Sequence, residues 1–174
     1  PKNRHVRGAL SILRDQGVPV SSGTITSLFE ARDVDAFRRV LAVVADPNNS
    51  TALANTLLDR TSGIPVIEAH TYLRPHKNYD LTLADLVQVG SDAGLFAGEN
   101  AIAKWGTQLT AWVDMSQRES LTALIGSIGN ALLVDHAQSH DEILSRAEIL
   151  RTFLHLALMR EESHPHETLA DFIL

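Results

Sequence analysis

The stretch "ADPNNSTALANTLLDRTSGIP", residues 45–65, decides how this chain is organised. Pro47 cannot continue a helix, and it pushes the residue before it out of the α region, so an incoming helix ends near Ala45. Asn49 or Ser50 then offers a side-chain oxygen to cap a new, Leu-rich helix. A second break follows at "DRTSGIP", residues 59–65, where Ser62 and Gly63 supply a cap and Pro65 favours a first helical turn. A helix that starts so abruptly aims unpaired backbone N–H groups at whatever lies in front of it. Such a turn is either a grip for a phosphate or a plain corner between two packed helices.

Helical periodicity extends in both directions from this stretch. Val34, Phe37, Val40, Leu41 and Val44 share one face of a helix from about Asp33 to Ala45. Ile102, Trp105, Leu109, Trp112 and Val113 mark a second stripe, and Leu121, Leu124, Ile125, Ile128 and Leu132 a third. Ile143, Ala147, Leu150, Leu154 and Leu158 mark a fourth, in a run reaching about Arg160. Ser27, Ser116 and Ser139 each precede a Glu by three residues, the pattern of a reciprocal capping box. Only "GVPVSS", residues 17–22, reads as a strand, and one strand makes no sheet. The expected fold is all-α, an irregular multi-helix domain with one short strand near the N-terminus. "RPHKNYD", residues 74–80, reads as the clearest long loop.

Composition limits the function. The 174 residues carry 15 Lys and Arg against 21 Asp and Glu, a net charge of −6. An autonomous nucleic-acid binder usually has a basic excess that neutralises phosphates, so any DNA contact here is expected to be local. No Cys is present, which rules out disulfides and thiolate metal sites and fits a reducing cytoplasm. No apolar run approaches the roughly 18 residues of a membrane span, so no membrane partner is expected.

The familiar catalytic signatures are missing too. Lys2, Lys77 and Lys104 are the only lysines, and none sits in a phosphate-binding Gly-rich loop, so no nucleotide site is expected within this chain. There is no Gly-x-Ser-x-Gly elbow. His136 and His140 stand four apart, but Ala137 occupies the position where a zinc hydrolase carries Glu; a polar inter-helix loop is the plainer reading, and no metal site is assigned. Trp105 and Trp112 read as core rather than as a base-stacking platform. Gly126 and Gly129 each cost a helix roughly 1 kcal/mol relative to Ala, which suggests close helix approach.

From Val18 to Ile64 the order of features becomes specific. A Gly-Val-Pro strand is followed by Leu28, Phe29 and Glu30, then by Asp33-Val34 opening a helix that ends at "DPNN". A Leu-rich helix and a Gly63-Ile64 turn complete the pattern. This order resembles a segment of the UvrD/Rep-type superfamily I DNA helicases and their RecB/AddA relatives. "LTLADLV", "SRAEILRTFLHLA" and the closing "LADFIL" resemble later parts of the same segment.

The resemblance implies that residues 25–174 are the helical accessory 2B subdomain. Residues 1–24 would then be the outgoing fragment of motor domain 2A, to which the "GVPVSS" strand would belong. A piece cut from a longer protein is also what a start at Pro1 hints at. It further implies a parent that is an ATP-dependent helicase of 3′-to-5′ polarity, with ATP and Mg²⁺ held by motor domains outside this chain and no catalytic residue within it. The expected partners are duplex DNA at a single-strand/double-strand junction, the chain's own motor domains, and a possible partner subunit.

In the family the duplex grip is similar to a helix-hairpin-helix, whose Gly-Ile-Gly turn offers N–H groups to a phosphate at a helix N-terminus. Gly63 and Ile64 match; Pro65 replaces the second glycine and removes one donor. Ser62, Gly63, Ile64 and Val66 remain as candidate donors, with Arg60, Arg74 and Lys77 as flanking cations. Two alternatives stay open: a plain helix-start turn made rigid by Pro65, and an all-α module that docks a partner subunit of a helicase–nuclease complex.

Overall fold

In the computed structural model the helix that begins beyond residue 31 is α1, Arg32–Ala45. Its Val34, Phe37, Val40, Leu41 and Val44 are all buried, as their 3–4 residue spacing requires of one helix face. The structure describes residues 32–76, 80–89, 100–135, 137, 139–164 and 168–173, all within the unit Ala31–Leu174. The "GVPVSS" strand, the Ser27 box and Lys77 lie outside the described residues. Those that are described form helices and connecting turns, with no strand among them.

After the break at Pro47, α2 runs Ser50–Leu58, capped by Asn49, whose side chain accepts from Ala52 N at 2.9 Å. A single 3-10 turn, Arg60–Ser62, leads to α3, Val66–Leu73. Then come α4, Leu83–Gln88, opened by a Thr82/Asp85 capping box, and α5, Ala101–Ser116, capped by Asn100. The Ser116-x-x-Glu119 pattern does not open the next helix. Ser116 is the last residue of α5, its hydroxyl donating to Val113 O at 2.7 Å. Instead Ser120 caps α6, Leu121–Gly129, by accepting from Ala123 N.

α6 continues directly into a π-helical turn, Asn130–Val134, and then α7, His140–Ser163, and α8, Leu169–Ile173, follow. Ser139 caps α7 by accepting from Glu142 N at 3.2 Å, as its box pattern predicts. The buried face of α7 is not the expected stripe. Ile149, Leu150, Phe153 and Ala157 are buried, while Ile143, Ala147 and Leu158 are exposed. α7 is apolar on more than one side, and contact with α6 and the π turn selects which series faces inward.

α1 is the shared wall of the core, packing against α2, α5 and α8. Phe37 meets Phe153 of α7 edge-on, ring centroids 5.0 Å apart and planes at 70°. Trp105 and Trp112 are buried and meet each other at 6.0 Å and 85°, as core residues. Gly106 brings α5 against α4: a Cβ there would lie 2.6 Å from Leu86 Cβ and 3.2 Å from two backbone atoms. A Cβ on Gly129 would overlap Leu150 of α7, which supports the close-approach reading, whereas one on Gly126 would make ordinary contact with Leu154 at 3.6 Å. Arg146 joins three elements. Its Nε meets Asp33 Oδ2 at 3.2 Å, its Nη1 donates to Leu133 O in the π turn at 3.3 Å, and Glu142 lies 3.6 Å away. Among the described residues, no helix is long and apolar enough to cross a membrane.

Candidate nucleic-acid interface

The candidate site is the hairpin formed by α2, the Arg60–Ser62 turn and α3. Leu53, Ala54 and Leu57 of α2, then Ile64, Ala69 and Leu73, fix it to the core through one continuous buried row. At the start of its turn stands Asp59, which ends α2 and begins the 3-10 turn in extended conformation, φ −75° and ψ 138°. Its backbone carbonyl accepts Ser62 N at 3.1 Å and the Ser62 hydroxyl at 2.8 Å. Its carboxylate accepts two bonds from Arg39 of α1, from Nε at 2.7 Å and Nη2 at 2.5 Å.

Gly63 reverses the chain. Its φ of +69° and ψ of 5° lie in the left-handed region, and it is the positive-φ glycine of the described residues. A side chain there costs about 1–2 kcal/mol in this conformation, which is why glycine suits the position. Its N–H donates to Arg60 O at 3.3 Å, and the N–H of Ile64 donates to Ser62 Oγ at 3.2 Å. Three of the four candidate donors, those of Ser62, Gly63 and Ile64, are therefore engaged within the turn itself. Ile64 is 6% exposed and works as the apolar anchor of the hairpin.

The open donors lie one step further on. Pro65 precedes α3 with no side-chain cap, and the first intrahelical bond runs from Ala69 N to Pro65 O at 3.0 Å. The N–H groups of Val66, Ile67 and Glu68 thus project from the helix start, where the partial positive charge of the helix lies. Arg60 is exposed beside them in sequence. Arg74 is exposed at the opposite end of α3, about 12 Å along the axis at 1.5 Å per residue. Arg60 and the open amides share the hairpin tip; Arg74 belongs to the other end of the same helix.

Sequence reasoning missed four features of this tip. Val66 is 61% and Ile67 83% exposed, the most exposed large apolar residues described. Ile67 precedes the buried Ala69 by two positions, about 200° around the helix, so periodicity does place it outward. Glu68 puts a carboxylate in the first turn, where it competes with an external anion for the same dipole. The Thr61 hydroxyl is buried without a protein hydrogen-bond partner. The Arg39–Asp59 pair spans twenty positions and carries no local signature.

No group of three or more His, Asp or Glu side chains is placed to hold a metal among the described residues. Tyr72 packs on His76 at 5.0 Å between ring centroids, and burial, with Asp85 nearby, pushes its phenol up to about 12. Comparison with known protein families finds none that this chain matches, and comparison with curated proteins finds no significant match.

Proposed function

We propose that this chain is the helical accessory region of an ATP-dependent superfamily I DNA helicase of 3′-to-5′ polarity. Its role is to hold duplex DNA at a single-strand/double-strand junction and so regulate unwinding, while ATP and Mg²⁺ are bound by motor domains elsewhere in the parent. The observation that carries the reading is the hairpin: helix, short turn, left-handed Gly63, buried Ile64, and a second helix whose first three N–H groups are open. That arrangement offers a phosphate directed backbone donors without requiring a basic surface. The order of sequence features from Val18 to Ile64 supports the same assignment. Arg60 is the cation that completes the contact in this reading.

A second reading is favoured by a specific observation. Val66 and Ile67 present apolar surface at the tip, and Glu68 stands in the first turn, a combination suited to a protein partner such as another subunit of a helicase–nuclease complex.

Fluorescence anisotropy with tailed duplex, blunt duplex and single-stranded DNA separates the two. One phosphate neutralised by Arg60 predicts a duplex affinity that falls on the order of 8-fold between about 20 and 200 mM salt. Arg60→Ala is expected to weaken binding and reduce the salt slope by about one. Absence of binding to all three DNAs at low salt would overturn the duplex contact and leave the docking reading.

A further inference from the structure

The apolar stripe that the sequence marks on α7 turns only its edge to the core. Leu150 is buried and Leu154 half-buried, while Ile143, Ala147 and Leu158 stand open. Five of the nine exposed large apolar side chains among the described residues belong to α7, so this helix carries a second face that the fold leaves uncovered. At 3.6 residues per turn, Ile143, Ala147, Leu154 and Leu158 fall within about 60° of arc and run for about 22 Å. A row of that shape matches the side of another helix.

The row reads the same in both directions. Positions 143 and 158 lie equally far from the midpoint between Leu150 and Arg151, and so do 147 and 154. A two-fold axis through that midpoint lays the α7 of a second copy antiparallel on the first. Ile143 of each copy then meets Leu158 of the other, and the small Ala147 leaves room for Leu154. Glu148 and Arg151 flank the row, both exposed and neither in an ion pair among the described residues. The same axis brings Glu148 of each copy to within about 3 Å, along the helix, of Arg151 of the other. The face is complementary to itself in apolar pattern and in charge, as a two-fold contact requires.

We propose that α7 is a homodimerisation face, on which two copies of this chain pair antiparallel through Ile143, Ala147, Leu154 and Leu158. Glu148 and Arg151 fix the register of the pair. This goes beyond the duplex-contact reading and does not rest on it. One helix laid on another sits at the low end of specific interfaces, below about 1,200 Å² in total, so the dimer is expected to be weak, with a Kd on the order of 10 µM or above.

Sedimentation equilibrium of the 174-residue chain from about 5 to 500 µM should show monomer and dimer in exchange. Leu158→Glu, at a side chain 47% exposed, is expected to weaken the dimer about tenfold or more by placing a charge in the apolar row. Leu156→Glu, 41% exposed but on the opposite side of α7, should leave it unchanged. Glu148→Arg leaves only cations on the flank and Arg151→Glu only anions, so each alone is expected to associate about tenfold more weakly. Mixed in equal amounts, these two variants should pair with each other, because every cation then faces an anion. Circular dichroism checks that each variant is folded, and the charge variants carry the test should Leu158→Glu not fold.

A chain still monomeric at about 500 µM would overturn the proposal and leave the face to a different protein or to further segments of a longer chain. A dimer that Leu158→Glu leaves intact would place the contact elsewhere and overturn it too. A mixture of the charge variants that associates no better than either alone would overturn the antiparallel register. No DNA enters these measurements, so their failure and that of the duplex contact are separate results.

Discussion

The indole N–H of Trp105 donates to the hydroxyl of Thr56 at 3.2 Å, and that hydroxyl donates onward to Leu53 O at 2.8 Å. The bond links α5 to α2 across 49 positions, inside a core where Thr56 is fully buried. Thr56→Val keeps the shape and leaves the indole N–H without an acceptor, which costs about 1–3 kcal/mol. At roughly 2–4 °C per kcal/mol for a chain of this size, a thermal melt should fall by several degrees. Thr56→Ser restores the acceptor and is expected to melt close to the wild type. Equal melting of Thr56→Val and the wild type would mean that this bond contributes nothing.

The interhelical glycines are not equivalent. An Ala at Gly106 meets the Cβ and backbone of Leu86, atoms that cannot rotate away, so α4 must shift. An Ala at Gly129 meets the end of the Leu150 side chain, which can move. At Gly126 the added methyl finds ordinary contact and the helix gains propensity. Chemical denaturation should therefore rank Gly106→Ala as the most damaging, at about 1–3 kcal/mol or more. Gly129→Ala is expected to be milder, and Gly126→Ala stabilising by up to about 1 kcal/mol. A destabilised Gly126→Ala would contradict the ranking.

Acid should loosen the junction of α6 and α7. Burial raises the Glu161 carboxyl, but bonds from the Thr122 hydroxyl at 2.6 Å and the Thr122 N–H at 3.1 Å, with help from Leu121 and Ser120, outweigh it and hold the group below its ordinary 4.5. A folded value below the unfolded one stabilises the protein above the unfolded value, and that stabilisation is lost as pH falls through the folded one. The urea midpoint of Glu161→Gln should thus change less than that of the wild type between about pH 6 and pH 3. Parallel pH profiles would remove Glu161 from this role.

Alkali should report on Tyr72. The chain has two tyrosines, and burial pushes the phenol of Tyr72 up to about 12, with Asp85 adding to the effect. In a Tyr79→Phe variant, the single ultraviolet phenolate transition is expected about two units above the ordinary value near 10. Because the folded value is the higher, the stabilisation is intact below pH 10 and lost as pH climbs through 12. A transition at the ordinary value would show that Tyr72 is solvated.

Much of the architecture was legible because single strong periods decide it. α1 has one apolar series and one break at Pro47, and both appear where expected; the stripes of α5 and α6 do likewise. Legibility failed where two local signals competed. Ser116 and Ser120 stand one turn apart, and the chain caps at Ser120 because α5 runs on through Ser116. α7 carries overlapping apolar series, and only its neighbours choose between them. At the hairpin, the glycine, the proline and the helix start are readable in "TSGIP". The occupancy of the Ser62, Gly63 and Ile64 donors is not, because it depends on the turn closing on itself. The Arg39 fork on Asp59 is tertiary and has no pattern to read.

Gly63 has one more consequence. Among the described residues, its two chain neighbours apart, no atom lies within 4 Å of where its L-side chain would stand, so packing does not exclude a methyl group there and torsion disfavours it. The constraint is one of chirality. A chemically assembled chain carrying D-alanine at this position would satisfy the left-handed backbone and lose unfolded-state freedom, while L-alanine would strain it. At the tip of this hairpin the chain is selected by mirror image rather than by volume.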